Sequence, residues 1–220
     1  MMRSHPVQKI LVVGGHGKIA LLLAPLLAAR GLTVRSVIRN PDHAAEVAAG
    51  GAEPIVADVE ALDVASLTSL LAGHDAVVWS AGAGGGNPAR TYAVDRDAAI
   101  RTMQAAQAAG VRRFVMVSYF GAAADHGIAS DDPFFAYAEA KAAADDHLRA
   151  TDLDWTILGP SRLTLEPPTG QIEVGGVSGT VSRADVAAVV DETLQQPATL
   201  GQTIRFNTGS VPISEAISPG

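Results

Sequence analysis

Apolar residues in this chain come in short continuous runs separated by longer, alanine-rich stretches. The first run, Lys9–Val13, ends at paired glycines and is typical of a strand buried on both faces of a parallel sheet. Similar runs predict further strands over 33–38, 53–57, 76–80, 113–118 and 154–158. The stretches between them predict helices over 18–30, 42–49, 64–71, 90–109 and 134–150.

The regular alternation of strands and helices predicts an α/β fold with a doubly wound parallel sheet. At 220 residues the chain is long enough for one large core and too short for two full-sized domains, so we expect residues 1–220 to form a single domain. After Pro160 the pattern changes to short segments interrupted by prolines and glycines, with a last helix over 183–194. We expect residues 160–220 to form a small C-terminal lid on the substrate side, with the residues after Thr208 loose or in contact with a partner.

The turn between the first strand and the first helix has the glycine-rich spacing G-x-x-G-x-x-A, ending at Ala20. Glycines allow the backbone to approach a pyrophosphate closely, and the N-terminus of the following helix then meets its charge. This context predicts a Rossmann-type dinucleotide site, whose candidate residues here are Gly14, Gly15, His16, Gly17, Lys18 and Ile19. The alternatives are a purely structural turn and, for the histidine and the lysine, solvated surface positions.

Arg39 follows the second strand, where an acidic residue would bind the ribose 2′-hydroxyl of NAD. A guanidinium there suits a 2′-phosphate instead, so the sequence favours NADP as the cofactor. Asp42 is close enough along the chain to keep NAD open. Ligands bind at the carboxyl ends of parallel strands, and the candidate cofactor residues after the third and fourth strands are Asp58, Val59, Ala81 and Gly82.

The composition argues against several other classes of protein. The formal net charge is -7, with three lysines and no run of basic residues, which disfavours binding to nucleic acid or to anionic membranes. The chain has no cysteine, and no cluster of His, Asp or Glu has metal-ligand spacing. The N-terminus lacks the apolar stretch of a secretory signal, and the longest apolar stretch, 19–29, is too short to cross a bilayer. We therefore expect a cytoplasmic protein without a metal or a membrane segment.

Segments along nearly the whole chain resemble the short-chain dehydrogenase/reductase superfamily. They are GGHGKIA at 14–20, VIRNPDHAAE at 37–46, ADV at 57–59, VMVS at 115–118, YAEAKAAADDHLR at 137–149, LDWTILGPSRLT at 153–164 and VSRADVAAVV at 181–190. Their joint order is most similar to the atypical NAD(P)-binding group, which includes small NAD(P)H-binding proteins, sugar-epimerase-like proteins and NmrA-like regulators. The resemblance implies a Rossmann fold that binds NAD(P).

The resemblance also implies a catalytic pair. In that superfamily the tyrosine and lysine of Y-x-x-x-K carry proton transfer, and here they fall on Tyr137 and Lys141. Residues four apart share one face of a helix, where an ammonium lowers the pKa of a phenol and lets tyrosine act as acid or base. In the superfamily the lysine also reaches the ribose hydroxyls of the cofactor. The alternative is a packed tyrosine beside a snorkelling lysine.

Ser118 is the candidate for the superfamily's third catalytic residue, a serine after the fifth strand that holds the substrate carbonyl. Many relatives have two serines there, whereas this chain has Ser118 followed by Tyr119. If the active serine matches the second position, Tyr119 has replaced it. This departure leaves the substrate chemistry open and does not touch cofactor binding.

These patterns favour an NAD(P)-dependent oxidoreductase that transfers hydride between the cofactor and a small carbonyl or alcohol, with Tyr137 as general acid/base. The expected partner is a small-molecule substrate, and the sequence leaves a homo-oligomer open. One alternative is an NAD(P)-dependent epimerase or dehydratase, although the short segment after Pro160 leaves little chain to build a nucleotide-sugar pocket. Another is a non-catalytic NADP(H) sensor, which Tyr119 and the alanine-rich helices keep open.

Overall fold

A large β-sheet forms the centre of the computed structural model, which describes residues 7–84 and 86–218. Its strands, with those of a smaller sheet, are β1 (Lys9–Val13), β2 (Thr33–Ile38), β3 (Glu53–Val56), β4 (Ala76–Trp79), β5 (Arg113–Val117), β6 (Asp154–Pro160), β7 (Arg162–Thr164), β8 (Gln171–Val174), β9 (Thr180–Ser182), β10 (Gln202–Thr208) and β11 (Val211–Pro212). The main sheet has the order β11-β8-β10-β6-β5-β4-β1-β2-β3, and β7 pairs with β9 separately.

Helices connect most of these strands and cover both faces of the sheet. They are α1 (Lys18–Ala29), α2 (Ala44–Ala49), α3 (Val64–Leu71), α4 (Pro88–Thr91), α5 (Ala99–Ala109), α6 (Phe135–Arg149), α7 (Arg183–Gln195) and α8 (Ile213–Ala216). Single 3₁₀ turns lie at Pro41–His43 and Pro197–Thr199. Within the described ranges, no helix is long and apolar enough to span a membrane.

The strand order places a crevice between β1 and β4. Read from β3 to β6, the parallel neighbours have the order 3-2-1-4-5-6 of the Rossmann fold. The order reverses between β1 and β4, where Val13 lies beside Trp79 in the register. Ligands of this fold bind outside the carboxyl ends of the strands at such a switch point. The predicted α/β fold with a doubly wound parallel sheet is confirmed.

Two apolar layers hold the helices to the sheet. On one face α1 and α7 pack against each other, with Leu23 and Val190 buried between helix and sheet. On the other face α3, α5 and α6 bury Leu67, Met103 and Leu148. Because β4 and β5 are covered on both sides, all their residues are buried, and this explains their continuous apolar runs.

The predicted helix over 90–109 is divided into three parts. α4 runs into a π-helical segment, Tyr92–Ala98, which continues into α5. Hydrogen bonds from i to i+5 widen such a turn, and these turns are frequent at functional sites. The π-helical segment carries Asp95, which is buried against the loop after β4.

The C-terminal segment adds strands to the main sheet. β10 lies between β6 and β8, and β11 pairs with β8 in the antiparallel direction. The expectation of a loose end after Thr208 is wrong for residues 209–218, because Ile213 and Ile217 are buried in the same apolar cluster as α7. The sequence signal is weak because β8 buries a single side chain, that of Ile172.

Candidate functional site

The turn after β1 approaches the loop after β4 so closely that only glycine fits at its first position. Gly14 has φ of 86°, and a Cβ built on it would lie 2.6 Å from the backbone of Ala81. The turn closes on itself, since Gly17 N–H donates to the Gly14 carbonyl at 2.8 Å. The glycines therefore make a tight turn against the loop after β4, as the glycine motif predicts, and Gly14 and Gly17 line the first cavity described below.

Two of the predicted loop residues, Gly15 and Lys18, do not line the cavities described below. Gly15 packs the turn onto β2: its N–H donates to the Val37 carbonyl at 2.8 Å, and a Cβ would lie 2.5 Å from Ser36 Cβ. Lys18 begins α1 with an exposed side chain and does not line either cavity described below. Gly15 thus shapes the turn without lining a cavity, and the structure does not bring Lys18 to the site.

A first cavity of about 290 Å³ lies over the carboxyl ends of β1, β2, β3 and β4. It brings together most of the predicted cofactor residues, although they come from four separate loops. These are Gly14, His16, Gly17, Arg39, Asp58, Val59, Ala81 and Gly82. The lining also includes residues that the sequence did not single out, among them His43, Ser80 and Arg90.

The rim of the first cavity carries cationic and imidazole side chains from two loops. Arg39 is exposed there, after the end of β2. The rings of His16 and His43 stack with centroids 3.5 Å apart, and His16 Nε2 lies 2.7 Å from Glu46 Oε2. His16 is therefore a partnered lining residue and not merely a solvated loop position.

A second cavity, of about 630 Å³, continues from the first past the shared residues 80–83. Its lining includes Ile19 from α1 and three residues predicted to be catalytic, Ser118, Tyr137 and Lys141. The other lining side chains are mostly apolar and include Pro88, Pro133, Phe134 and Leu163. The two cavities form one groove. The glycine turn lines the first cavity, and the candidate proton donors line the second.

Lys141 lies in the groove with its ammonium group hydrogen-bonded to the backbone of β5. Its side chain is 1% exposed, and Nζ donates to the Val117 carbonyl at 2.9 Å and lies 3.7 Å from Met116 Sδ. Burial raises the pKa of Tyr137, and the nearby carboxyl group of Asp95 raises it further. Burial favours the neutral phenol, and the lowering of the Tyr137 pKa by Lys141 stays a prediction.

Ser118 and Tyr119 occupy different environments after β5. Ser118 lines the second cavity, and its Oγ lies 2.6 Å from Oδ2 of Asp145 on α6. The Tyr119 ring packs beside Tyr137, with centroids 5.4 Å apart, and its hydroxyl is buried without a hydrogen-bond partner in the described part of the chain. Ser118 lines the second cavity, and Tyr119 does not.

Asp95 is a lining residue that the sequence analysis missed. Its side chain is 1% exposed, and Oδ2 accepts the Ala83 N–H at 2.9 Å. Burial raises the pKa of Asp95, while Lys141 acts in the opposite direction. Its position in the sequence gives a signal, because an acidic residue interrupts an otherwise apolar helix face formed by Val94, Ala98 and Ala99.

The strand order, the glycine turn and the groove define a dinucleotide-binding protein of Rossmann type. The pattern of the NAD(P)H-binding family matches residues 14–197 of the sequence. The chain belongs to this family, which confirms the prediction of a nicotinamide dinucleotide cofactor.

Similar proteins of nearly the same length are named as epimerases or oxidoreductases. The Bacillus subtilis protein "Uncharacterized sugar epimerase YhfK" is 32% identical over 214 residues, covering 95% of this chain and 98% of the relative. The structure of a Bacillus halodurans protein described as a "putative NAD-dependent epimerase/dehydratase" matches with a TM-score of 0.88 at 32% identity, covering 96% of this chain and 98% of the other. The oxidoreductase ylbE from Lactococcus lactis matches with a TM-score of 0.86 at 29% identity, covering 96% and 95%. The family and these names bear out the resemblance to the atypical NAD(P)-binding group.

Proposed function

We propose that the protein is an NADP-dependent reductase of a small, largely apolar carbonyl compound, with Tyr137 as the proton donor. The observation that carries the proposal is the phenol of Tyr137 in a cavity continuous with the glycine turn, beside Ser118 and Lys141. Burial, with a contribution from Asp95, raises the pKa of this phenol, so it holds its proton at neutral pH. A protonated phenol is the form that donates to a carbonyl oxygen.

The residues of the groove fit a dinucleotide. The Gly14–Ala81 approach leaves no room for a side chain, which is the property a pyrophosphate site needs, and the N-terminus of α1 follows directly. Asp58 and Val59 lie where the adenosine half would be held, and Ala81 and Gly82 lie where the two cavities meet. When bound, NADPH supplies the hydride that reduces the carbonyl carbon.

The side chains of the second cavity supply the rest of the reaction. Tyr137 Oη donates its proton to the carbonyl oxygen as the carbon is reduced, which yields an alcohol and leaves a phenolate. The Ser118 hydroxyl holds the same oxygen, and the ammonium of Lys141 offsets the phenolate charge. A proton from water then restores the phenol. The mostly apolar lining favours a substrate without a large charged group.

Reduction fits this site better than epimerisation, the activity that some of the relatives' names suggest. An epimerase cycle begins when a base removes the proton of a substrate hydroxyl, and burial disfavours the phenolate form of Tyr137 that this step needs. In addition, Leu163 is the one described residue after position 160 that lines the second cavity. The C-terminal segment therefore offers little surface to hold a nucleotide sugar.

Arg39 supports NADP over NAD. It lines the first cavity with an exposed side chain, and within residues 7–84 and 86–218 it forms no salt bridge. Asp42, which kept NAD open, is exposed outside the cavity lining, with its N–H donated to Asn40 Oδ1 at 3.0 Å. A free guanidinium suits a 2′-phosphate, and no carboxylate of the lining takes the place that NAD requires after β2.

The substitution Tyr137→Phe tests the proposed reduction. It removes the donor hydroxyl and keeps the ring, so we expect unchanged NADPH affinity and a roughly 10²–10⁴-fold loss of carbonyl-dependent NADPH oxidation. Turnover is measured by NADPH absorbance on a panel of neutral aromatic and aliphatic ketones and aldehydes, and affinity by fluorescence titration.

Tyr119→Phe is the matched control, because its hydroxyl is buried beside the same ring and does not line the cavity. We expect it to turn over at the wild-type rate. A Tyr137→Phe variant as active as wild type would remove Tyr137 from the chemistry. Tight NADPH binding without turnover of any carbonyl by wild type would instead favour the NADP(H) sensor.

A further inference from the structure

Asp145 is a buried carboxyl group directly behind Ser118. It follows Tyr137 and Lys141 along α6 at intervals of four residues, so all three lie on one helix face. Its side chain is 0% exposed and does not line the second cavity. Its Oδ2 lies 2.6 Å from Ser118 Oγ, and its Oδ1 is buried without a hydrogen-bond partner among the described residues.

An ionised Asp145 would leave half of its charge unsolvated in the core. A buried carboxylate oxygen without a donor is costly, whereas the carbonyl oxygen of a neutral acid loses much less on burial. Burial raises the pKa of Asp145, and this effect is larger than the opposing effects of Lys141 and the Ser118 contact. The arrangement of the two oxygen atoms and the burial therefore both favour the protonated acid.

The charges around Asp145 lead to the same assignment. Lys141 acts on two carboxyl groups, those of Asp95 and Asp145, and one carboxylate is enough to neutralise it. Asp95 is better suited to be ionised, because it accepts the Ala83 N–H and lines the open cavity. The other ionisable groups that face Asp145 are Tyr137, Asp146 and Arg149 on α6 and Tyr119 after β5.

We propose that Asp145 is a positioning residue, whose carboxyl group stays protonated at neutral pH, donates its hydrogen to Ser118 Oγ and so directs the Ser118 hydroxyl proton into the second cavity. A hydroxyl has one hydrogen, so if Ser118 donated to Asp145 it would present only lone pairs to the substrate. With the acid as donor, Ser118 can donate to the carbonyl oxygen. This role rests on the proposed reduction, but the protonation of Asp145 can be tested without it.

Carbon-13 NMR of wild-type protein labelled at the aspartate carboxyl carbon tests the protonation. The Asp145 resonance is assigned by its loss in Asp145→Asn, and we expect it to keep the chemical shift of a protonated carboxyl group at pH 7. Asp63 is the internal control, because the hydrogen bond from Ser66 lowers its pKa and it is ionised well below pH 7. An Asp145 resonance with the chemical shift of a carboxylate at pH 7 overturns the proposal.

The orienting role is tested by a double-mutant cycle on NADPH-dependent carbonyl reduction. Ser118→Ala removes a donor to the developing oxyanion, for which we expect a roughly 10²-fold loss in kcat. Asp145→Leu is expected to lose a similar factor, Asp145→Asn to restore most of it through its amide N–H, and the double variant Ser118→Ala/Asp145→Leu to be no slower than Ser118→Ala. Additive losses in the double variant would contradict a role through Ser118. If wild type reduces no carbonyl, the proposed function fails, while the NMR titration still decides the state of Asp145.

Discussion

At the scale of single residues, burial sets the chemical character of the groove. Burial is the first cause of the raised pKa values of Tyr137, Asp95 and Asp145, and the buried Lys141 acts against it at both carboxyl groups. The four-residue spacing predicts that Tyr137 and Lys141 share a helix face, and both line the second cavity. It could not predict the direction of the Tyr137 pKa shift, because that direction follows from burial, which the spacing does not show.

Arg39→Ala tests the choice of cofactor. If the guanidinium binds the 2′-phosphate, its loss weakens NADP binding by about 1.5–3 kcal/mol and changes NAD binding little. Titration with both dinucleotides measures the two affinities. Arg112→Ala is the matched control, since it removes the same charge just before β5, at the opposite end of the strands. Equal losses for NADP and NAD, or no loss for either, would contradict the assignment of Arg39.

At the scale of elements, the sequence predicts best the segments with a clear boundary signal. β1, β2 and α3 have the predicted bounds: the apolar run of β1 ends at glycines, β2 ends in the buried pair Val37 and Ile38, and Asp63 caps α3. The strands after position 160 were missed because most of them are short, and β8 and β11 are also mostly exposed. The π-helical segment was also missed, since a single register shift within a helix leaves the apolar spacing nearly unchanged.

The glycine turn after β1 gives a prediction at this scale. Gly14→Ala places a Cβ 2.6 Å from the Ala81 backbone at a positive φ, so the turn must move away from β4. We expect loss of binding to both NADP and NAD, measured by titration of the folded variant, and the same for Gly17→Val. Gly31→Ala is the control: its φ is also positive, but nothing lies within 4 Å of the added Cβ, so it should be less stable yet keep its affinity. A folded Gly14→Ala variant that binds normally would make the turn purely structural.

At the scale of the whole molecule, the C-terminal segment is part of the sheet that carries the site. β10 joins β6 in parallel and extends the sheet to β8 and β11. Arg113 on β5 donates to the Thr193 carbonyl of α7 and to Thr199 Oγ1. The chain beyond position 160 therefore supports the strands beneath the groove, although the sequence suggested mainly a lid. That residues 1–220 behave as one domain stays a prediction.

Asp185→Asn tests whether both parts unfold together. Asp185 is 0% exposed, and its carboxylate accepts the N–H groups of Thr169 and Gly170 as well as the Ser182 hydroxyl. Asparagine replaces one acceptor oxygen by an NH₂ group, which cannot accept a hydrogen bond from these donors. We expect this to lower the free energy of unfolding by about 1.5–3 kcal/mol.

The tryptophans make the test specific, because Trp79 and Trp155 both precede position 160. If the chain is one cooperative unit, Asp185→Asn lowers the urea midpoint of tryptophan fluorescence as much as that of far-UV circular dichroism. Asp191 lies on α7 like Asp185, and Asp191→Asn, which breaks its partly exposed ion pair with Arg30 at the end of α1, should cost at most about 1 kcal/mol. An unchanged fluorescence midpoint in a destabilised Asp185→Asn variant would mean that residues 160–220 unfold separately. The tryptophans would then report strands that stay folded after residues 160–220 have unfolded.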